Sequence, residues 1–208
     1  EIFDEVRTLV CEAPKAPVRM TEQITNVMAT QWVRGSEWAI AHVPSLCGAE
    51  DDASAFDARL HPLIHEAHHR HPGLRLGRTD GIFDALACAI FEQKVTGLQA
   101  FGAWRYIVSR FGERAPGPTP LPMFAPPTMP QWQHIPSWEW HAAGLEPPQS
   151  RTVVHAARRG EAIVRALSTA PDGDARDRVL TSLPGIGVWT SAETRIRALG
   201  DPDAVSVG

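Results

Sequence analysis

The sequence has no Cys-x-x-Cys pair: Cys11, Cys47 and Cys88 are scattered along it. Cysteine-held zinc and iron–sulfur sites need close pairs, so neither is visible. Three cysteines with no evident pairing fit a reducing cytoplasm. No apolar run reaches the roughly 20 residues of a membrane span, and no secretory leader is evident. Lysine is nearly missing, with Lys15 and Lys94 the only two. A surplus of positive charge is missing too. Twenty Lys and Arg stand against 24 Asp and Glu, a formal net charge of -4. Bulk charge therefore does not advertise a nucleic-acid partner, although it can hide a local basic face. Arginine bonds phosphate in a bidentate fashion, so the arginine bias suits a phosphate-binding surface. Codon usage in a GC-rich genome explains the same bias and is the stronger reading.

What is present is enough for a folded domain. The 208 residues suffice for one ordinary domain, or one domain plus a fragment. Hydrophobic residues at 43% can build a core, and charged residues at 21% argue against a disordered chain. Glu1 rather than Met opens the sequence, which reads as part of a longer protein.

Residues 1–50 contain strand-like stretches at Val6 to Val10 and Ile24 to Val33, broken by Pro14 and Pro17. Ser36 to Val43 reads as a short helix capped by Ser36. A partial β-containing N-terminal subdomain is expected there. From residue 51 the pattern is helical. Pro62 to His71 reads as a helix with Leu63, Ile64 and Ala67 inward. It carries His65 and His69 at i,i+4 spacing, which share a face and could meet a metal. No carboxylate or cysteine completes that set, so a solvated histidine-rich face is the favoured reading. Residues 81–95 are the strongest helix signal. Ile82, Phe83, Leu86, Ala89 and Ile90 lie on one face, with Thr79 or Asp80 as cap. Leu98 to Phe111 is a second amphipathic helix, with Phe101, Trp104, Ile107, Val108 and Phe111 apolar and Gly112 as C-cap. Residues 115–136 hold eight prolines and read as an irregular surface connection. Further helices are expected over Ser150 to Leu167, Asp174 to Leu183 and Trp189 to Leu199, the last closed by Gly200.

Leu183-Pro184-Gly185-Ile186-Gly187 stands between two helical stretches. Two glycines let a backbone turn sharply and approach another chain. The N–H groups that open the second helix lack intrahelical partners, and a phosphate would satisfy them. Such a contact reads nucleic-acid backbone and fixes register. A plain helix–helix turn is the bland alternative for the glycines taken alone.

The wider run Leu183-Pro184-Gly185-Ile186-Gly187-Val188-Trp189-Thr190 resembles the hairpin of the helix-hairpin-helix (HhH-GPD) DNA glycosylase superfamily. It is most similar to the 3-methyladenine DNA glycosylase II (AlkA-like) branch. Ile90-Phe91-Glu92-Gln93-Lys94-Val95-Thr96 and the tail from Ala198 to Gly208 fit the same branch, so the resemblance covers roughly residues 55–208. It implies a mainly α fold with two helical lobes, spanning residues 51–208. It implies a monomer of the bacterial cytoplasm, associated with the nucleoid, that binds double-stranded DNA carrying a damaged base. Base-excision repair would proceed by flipping an alkylated purine into a pocket and hydrolysing its N-glycosidic bond.

The resemblance also assigns residues. Gly185, Ile186 and Gly187 match the phosphate-gripping hairpin, with Pro184 and Thr190 beside them in the DNA-binding set. Hairpin carbonyls in this superfamily often hold a monovalent cation, so a sodium or potassium ion is expected at Gly185 and no other cofactor. Trp189 stands where the AlkA-like branch lines its base pocket with an aromatic ring, which can stack on a cationic base. A core tryptophan is the alternative. Bifunctional members carry a Schiff-base lysine at this place, and Trp cannot form one. A monofunctional glycosylase is therefore expected. Gln93 and Lys94 match the loop that enters the minor groove. Lys94 departs from the leucine wedge common there, and an exposed helix-end lysine reads equally well. The essential aspartate would lie directly after Gly208, while Asp201 and Asp203 match a loop before it. The domain thus reads as truncated at its C-terminus. Two alternatives remain: a non-catalytic helix-hairpin-helix DNA-binding module, and an endonuclease III-like bifunctional enzyme, which Trp189 disfavours.

Overall fold

A computed structural model describes residues 36–115 and 122–207, and the chain forms two compact units, 1–79 and 80–208. The β-containing subdomain expected for residues 1–50 falls mainly on 1–35, outside the described residues. Residue 36 already starts a helix, α1 (Ser36–Leu46), with Ser36 inside it rather than capping it.

The first unit also holds a 3-10 turn, Ala58–Leu60, and α2 (Pro62–Arg70). Proline in the first turn of α2 gives up no helical hydrogen bond, and His61 Nδ1 accepts from the Leu63 N–H at 3.3 Å. The expectation that Leu63 and Ile64 point inward does not hold; they are 69% and 46% exposed. Three apolar residues in nine make a narrow stripe, and the three-residue turn against which α2 packs is too small to cover it. His65 and His69 are exposed with the rest of α2, and no group of three or more His, Cys, Asp or Glu able to hold a metal occurs among the described residues.

The second unit is built on α3 (Ile82–Phe91), which buries Ala85, Ala87 and Phe91 in addition to the expected face. A helix apolar nearly all round belongs in the middle of a bundle. It packs against α7 (Pro147–Thr169) and α9 (Val188–Leu199). Neither Thr79 nor Asp80 is its N-cap; Gly81 is, without a side-chain bond. Asp80 instead takes a left-handed conformation, φ 54, and its N–H donates to Ala198 O at 2.9 Å. Tying the chain to α9 outweighs a local cap.

α4 (Gly97–Phe111) starts on a capping box between Thr96 and Gln99, and the Gly112 N–H closes it on Val108 O. Its buried face runs through Ala100, Ala103, Ile107 and Val108, leaving Phe101 64% exposed. The described part of the proline-rich connection, 122–136, is more regular than expected. β1 (Glu113–Arg114) pairs antiparallel with β2 (Phe124–Ala125), and α5 (Met129–Gln133) and α6 (Ser137–Ala142) follow. Pro130 sits in the first turn of α5, where proline is tolerated, behind a Thr128–Gln131 capping box. α8 (Gly173–Thr181) is capped by Asp172, and Gly200 ends α9 in the left-handed conformation. Among the described residues, no helix is long and apolar enough to cross a membrane.

Aromatic rings fill the centre of this unit. Trp132, fully buried, stacks on Trp140 at 5.8 Å and meets the edge of Phe91 at 6.0 Å. Phe91 is the last residue of α3, so this cluster anchors the end of the helix from which the candidate site grows. Trp132→Ala is expected to destabilise the protein by about 3–5 kcal/mol, read as a fall in the urea midpoint. A change under about 1 kcal/mol would show that the ring is not a core element.

Candidate nucleic-acid interface

α8, the hairpin and α9 form a helix-hairpin-helix. The Ile186 N–H donates to Leu183 O at 3.1 Å, closing the turn. Leu183 and Ile186 are buried anchors, so the Ile186 side chain faces the core. Pro184, Gly185 and Gly187 are exposed. The two glycines are not equivalent. Gly185 has φ +85, and a Cβ there would overlap the Thr152 hydroxyl of α7. Gly187 is ordinary extended backbone at φ -100, and a Cβ there would meet nothing. Only Gly185 is demanded by the turn. Gly187 serves as the N-cap of α9 without a side-chain bond, so no side-chain oxygen competes for the first N–H groups of that helix. Those groups suit an anion.

The loop after α3 is held against this hairpin by two glutamines. Gln149 of α7 is buried, and its Nε2 donates to Phe91 O at 3.2 Å and Gln93 O at 2.9 Å. Its Oε1 accepts from the Glu146 N–H at 3.0 Å, capping α7. Both amide protons and the oxygen are thereby used, which sets the amide's orientation. Gln93 repeats the pattern one step on. Its Nε2 donates to Gly185 O and to Thr190 Oγ1, both at 2.9 Å. The loop then turns through Lys94, left-handed at φ 57 and exposed.

These contacts surround a cavity of about 840 Å³. Gln93, Lys94, Gly185, Gly187, Trp189 and Thr190 all line it. Six of the eight residues singled out in the sequence thus meet in one place. Trp189 is half-buried at the start of α9, placing a ring beside the hairpin. Thr190 is buried, and its hydroxyl accepts from Gln93. Ile186 lies in the core, and Pro184 lines a neighbouring cavity with Gly185. Glu146, Pro148, Gln149 and Thr152 of α7 and its cap also line the site and were not anticipated. Glu146 and Gln149 stand three apart before a helix, a capping-box spacing that signals the helix start at Glu146 rather than Ser150.

The Gly185 carbonyl, where a monovalent cation was expected, already accepts the Gln93 amide. That bond uses one of the two lone pairs of the Gly185 oxygen. Glu92, also in the cavity wall, is held by Arg197 at 2.7 and 3.2 Å. Arg195 of α9 is buried and bonds Asp201 at 2.8 and 3.0 Å and Asp177 at 2.8 Å. Asp201 is thereby a structural anion, while Asp203 is exposed. This pair of bridges ties α8, α9 and the segment after α9 together. Burial alone would raise the Asp177 carboxyl, but hydrogen bonds from Ser191 and Arg195 outweigh it and hold the group below its usual 3.8. Burial pushes the Cys88 thiol of α3 up to about 12, so it is no nucleophile at neutral pH.

Helix, tight hairpin and helix, set against a long helix and the end of an apolar central one, make the helix-hairpin-helix DNA glycosylase fold, and this chain has it. Among the solved structures with that fold is the 3-methyladenine DNA-glycosylase of Archaeoglobus fulgidus. It is 21% identical over 83% of this chain and 59% of that one, with a TM-score of 0.68. Another is the 8-oxoguanine glycosylase/lyase of Clostridium acetobutylicum, 14% identical over 79% of this chain and 58% of that one, with a TM-score of 0.69. The same enzyme in complex with double-stranded DNA containing cytosine opposite 8-oxoG matches with a TM-score of 0.67, at 14% identity over 79% of this chain and 57% of that one. The chain therefore spans about three fifths of the length of the solved structures it matches. No protein-family model and no curated protein matches the sequence.

Gly185→Ala is expected to cost at least about 1–3 kcal/mol from backbone strain alone. Combining it with Thr152→Ala removes the overlap, so the double variant should lose less than the sum of the two singles in urea melts. Strict additivity would show that the hairpin does not press on Thr152. The depressed Asp177 predicts a pH effect of definite sign. Its stabilisation is present above about pH 3.8 and is lost as pH falls below that value. Asp177→Asn should flatten the decline in urea midpoint as pH falls below about 4; an unchanged decline would assign the acid sensitivity elsewhere.

Proposed function

We propose that the protein is a base-excision repair DNA glycosylase that removes alkylated purines of the 3-methyladenine type, acting on duplex DNA as a monomer in the bacterial cytoplasm. One observation carries this reading. The half-buried Trp189 and the loop at Gln93 and Lys94 share a single cavity of about 840 Å³ beside the hairpin. The hairpin and the start of α9 hold a backbone phosphate, and the loop enters the duplex where the base is displaced. Flipping costs a few kcal/mol, less for a damaged base, which helps select the lesion. Trp189 stacks on the flipped ring, and a positively charged alkylpurine gains cation–π attraction there. Such a base leaves readily, so the site needs little acid catalysis. The developing sugar cation needs a carboxylate, and this reading assigns that to the aspartate expected directly after Gly208. Glu92, already paired with Arg197, is not assigned it.

Trp189 has no amine, so base removal is assigned to water rather than to a Schiff base. Lys94 lines the same cavity and is the amine that a lyase reaction would use.

The test uses the full-length protein and a duplex carrying one 7-methylguanine or 3-methyladenine. Strand breaks appearing only after hot alkali are the expected result. Breaks before alkali, together with borohydride trapping of the protein that Lys94→Gln abolishes, would replace the monofunctional reading with a lyase. Duplex bound with no break in either condition would leave a DNA-binding module instead.

A further inference from the structure

Pro148, Thr152 and Gly185 line two cavities at once, so they form a shared wall. Behind it lies a second cavity of about 660 Å³ with no Asp or Glu in its lining. Its arginines and its histidine come from one face of α7. Arg151, His155 and Arg158 are spaced by four and three residues, which stacks them along a single stripe.

The arginines of this unit differ in their partners. Arg176, Arg195 and Arg197 each reach a carboxylate. Arg151 and Arg158 are exposed and have no carboxylate partner among the described residues. His155 Nε2 is buried without a hydrogen-bond partner. Two unpaired guanidiniums over a carboxylate-free cavity make a local positive site in a chain whose net charge is -4. A guanidinium fork matches two oxygens of one phosphate group. Pro184 and Gly185 of the hairpin rim the cavity, so the site continues the phosphate-facing surface of that turn.

We propose that this cavity is a second phosphodiester-binding site, in which Arg151 and Arg158 grip the DNA backbone beyond the hairpin. The assignment rests on the DNA-binding reading above. It gives the protein two grips on the backbone, one from helix N–H groups and one from side chains, with the base cavity beside them. Side-chain cations release counterions when they bind DNA, so this second grip sets much of the salt dependence.

The test measures binding of a lesion-free labelled duplex to the full chain by anisotropy over a series of salt concentrations. Removing both charges, R151Q with R158Q, should reduce the slope of log affinity against log salt by about 0.9 for each lost contact. The control, R105Q with R114Q, removes the same net charge from two exposed arginines outside the cavity that likewise have no carboxylate partner among the described residues, and should leave the slope nearly unchanged. Equal effects from the two pairs would reduce the result to bulk charge and overturn the site. An unchanged slope in R151Q with R158Q, with duplex still bound, would overturn it as well while sparing the glycosylase reading. Failure of the unaltered chain to bind duplex would sink that reading first. Inorganic phosphate alone would then be the probe. A shift of the His155 ring resonances that R151Q with R158Q abolishes would make this a free-phosphate site and overturn the DNA assignment. No shift would remove the site altogether.

Discussion

Two side-chain amides hold the candidate site together. Gln149 takes the open carbonyls at the end of α3, and Gln93 carries the linkage to the hairpin through Gly185 O and Thr190 Oγ1. Remove either amide and a helix end, a loop and a hairpin lose their common reference. Helix ends must find partners for their last carbonyls, and here a partner from another helix does so. The cost of an unpaired buried carbonyl is what makes the arrangement specific. A loop held this way presents Lys94 outward at a fixed position, although its own conformation is left-handed.

The charges of the second unit do two different jobs. Arg195 and Arg197 are spent within the fold, bridging α8, α9 and the end of α3 through Asp177, Asp201 and Glu92. Breaking a buried pair leaves the other charge stranded, so these bridges set geometry more than they add net stability. Arg151 and Arg158, on the far side of the Thr152 wall, are left for a ligand. A net negative chain can therefore present a positive patch, because only unpaired charges project a field. The overall count of Lys and Arg gave no hint of it.

Much of the second unit was legible in the sequence because its signals are local. The apolar run of α3, the hairpin glycines and the closing Gly200 each act through their immediate neighbours in the chain. The departures share a cause. Phe101 fits the apolar stripe of α4 but has nothing above it, and Leu63 and Ile64 of α2 fare likewise. Periodicity shows which residues share a face, not whether another element arrives to cover it. In the proline-rich segment, proline at a first helical turn was mistaken for a breaker throughout, so α5 and Trp132 were missed.

The sequence by itself determined the helical class, the hairpin and the identity of six residues that line one cavity, since these depend on backbone preference and on a specific motif. Tertiary structure alone decided that Gly185 must be glycine against Thr152, that Gln93 binds the hairpin, and that Asp201 is a bridge partner. It also decided that Arg151 and Arg158 share one cavity with no carboxylate partner among the described residues. Each of these turns on a contact between residues far apart in the chain, and no local pattern encodes which distant partner will arrive.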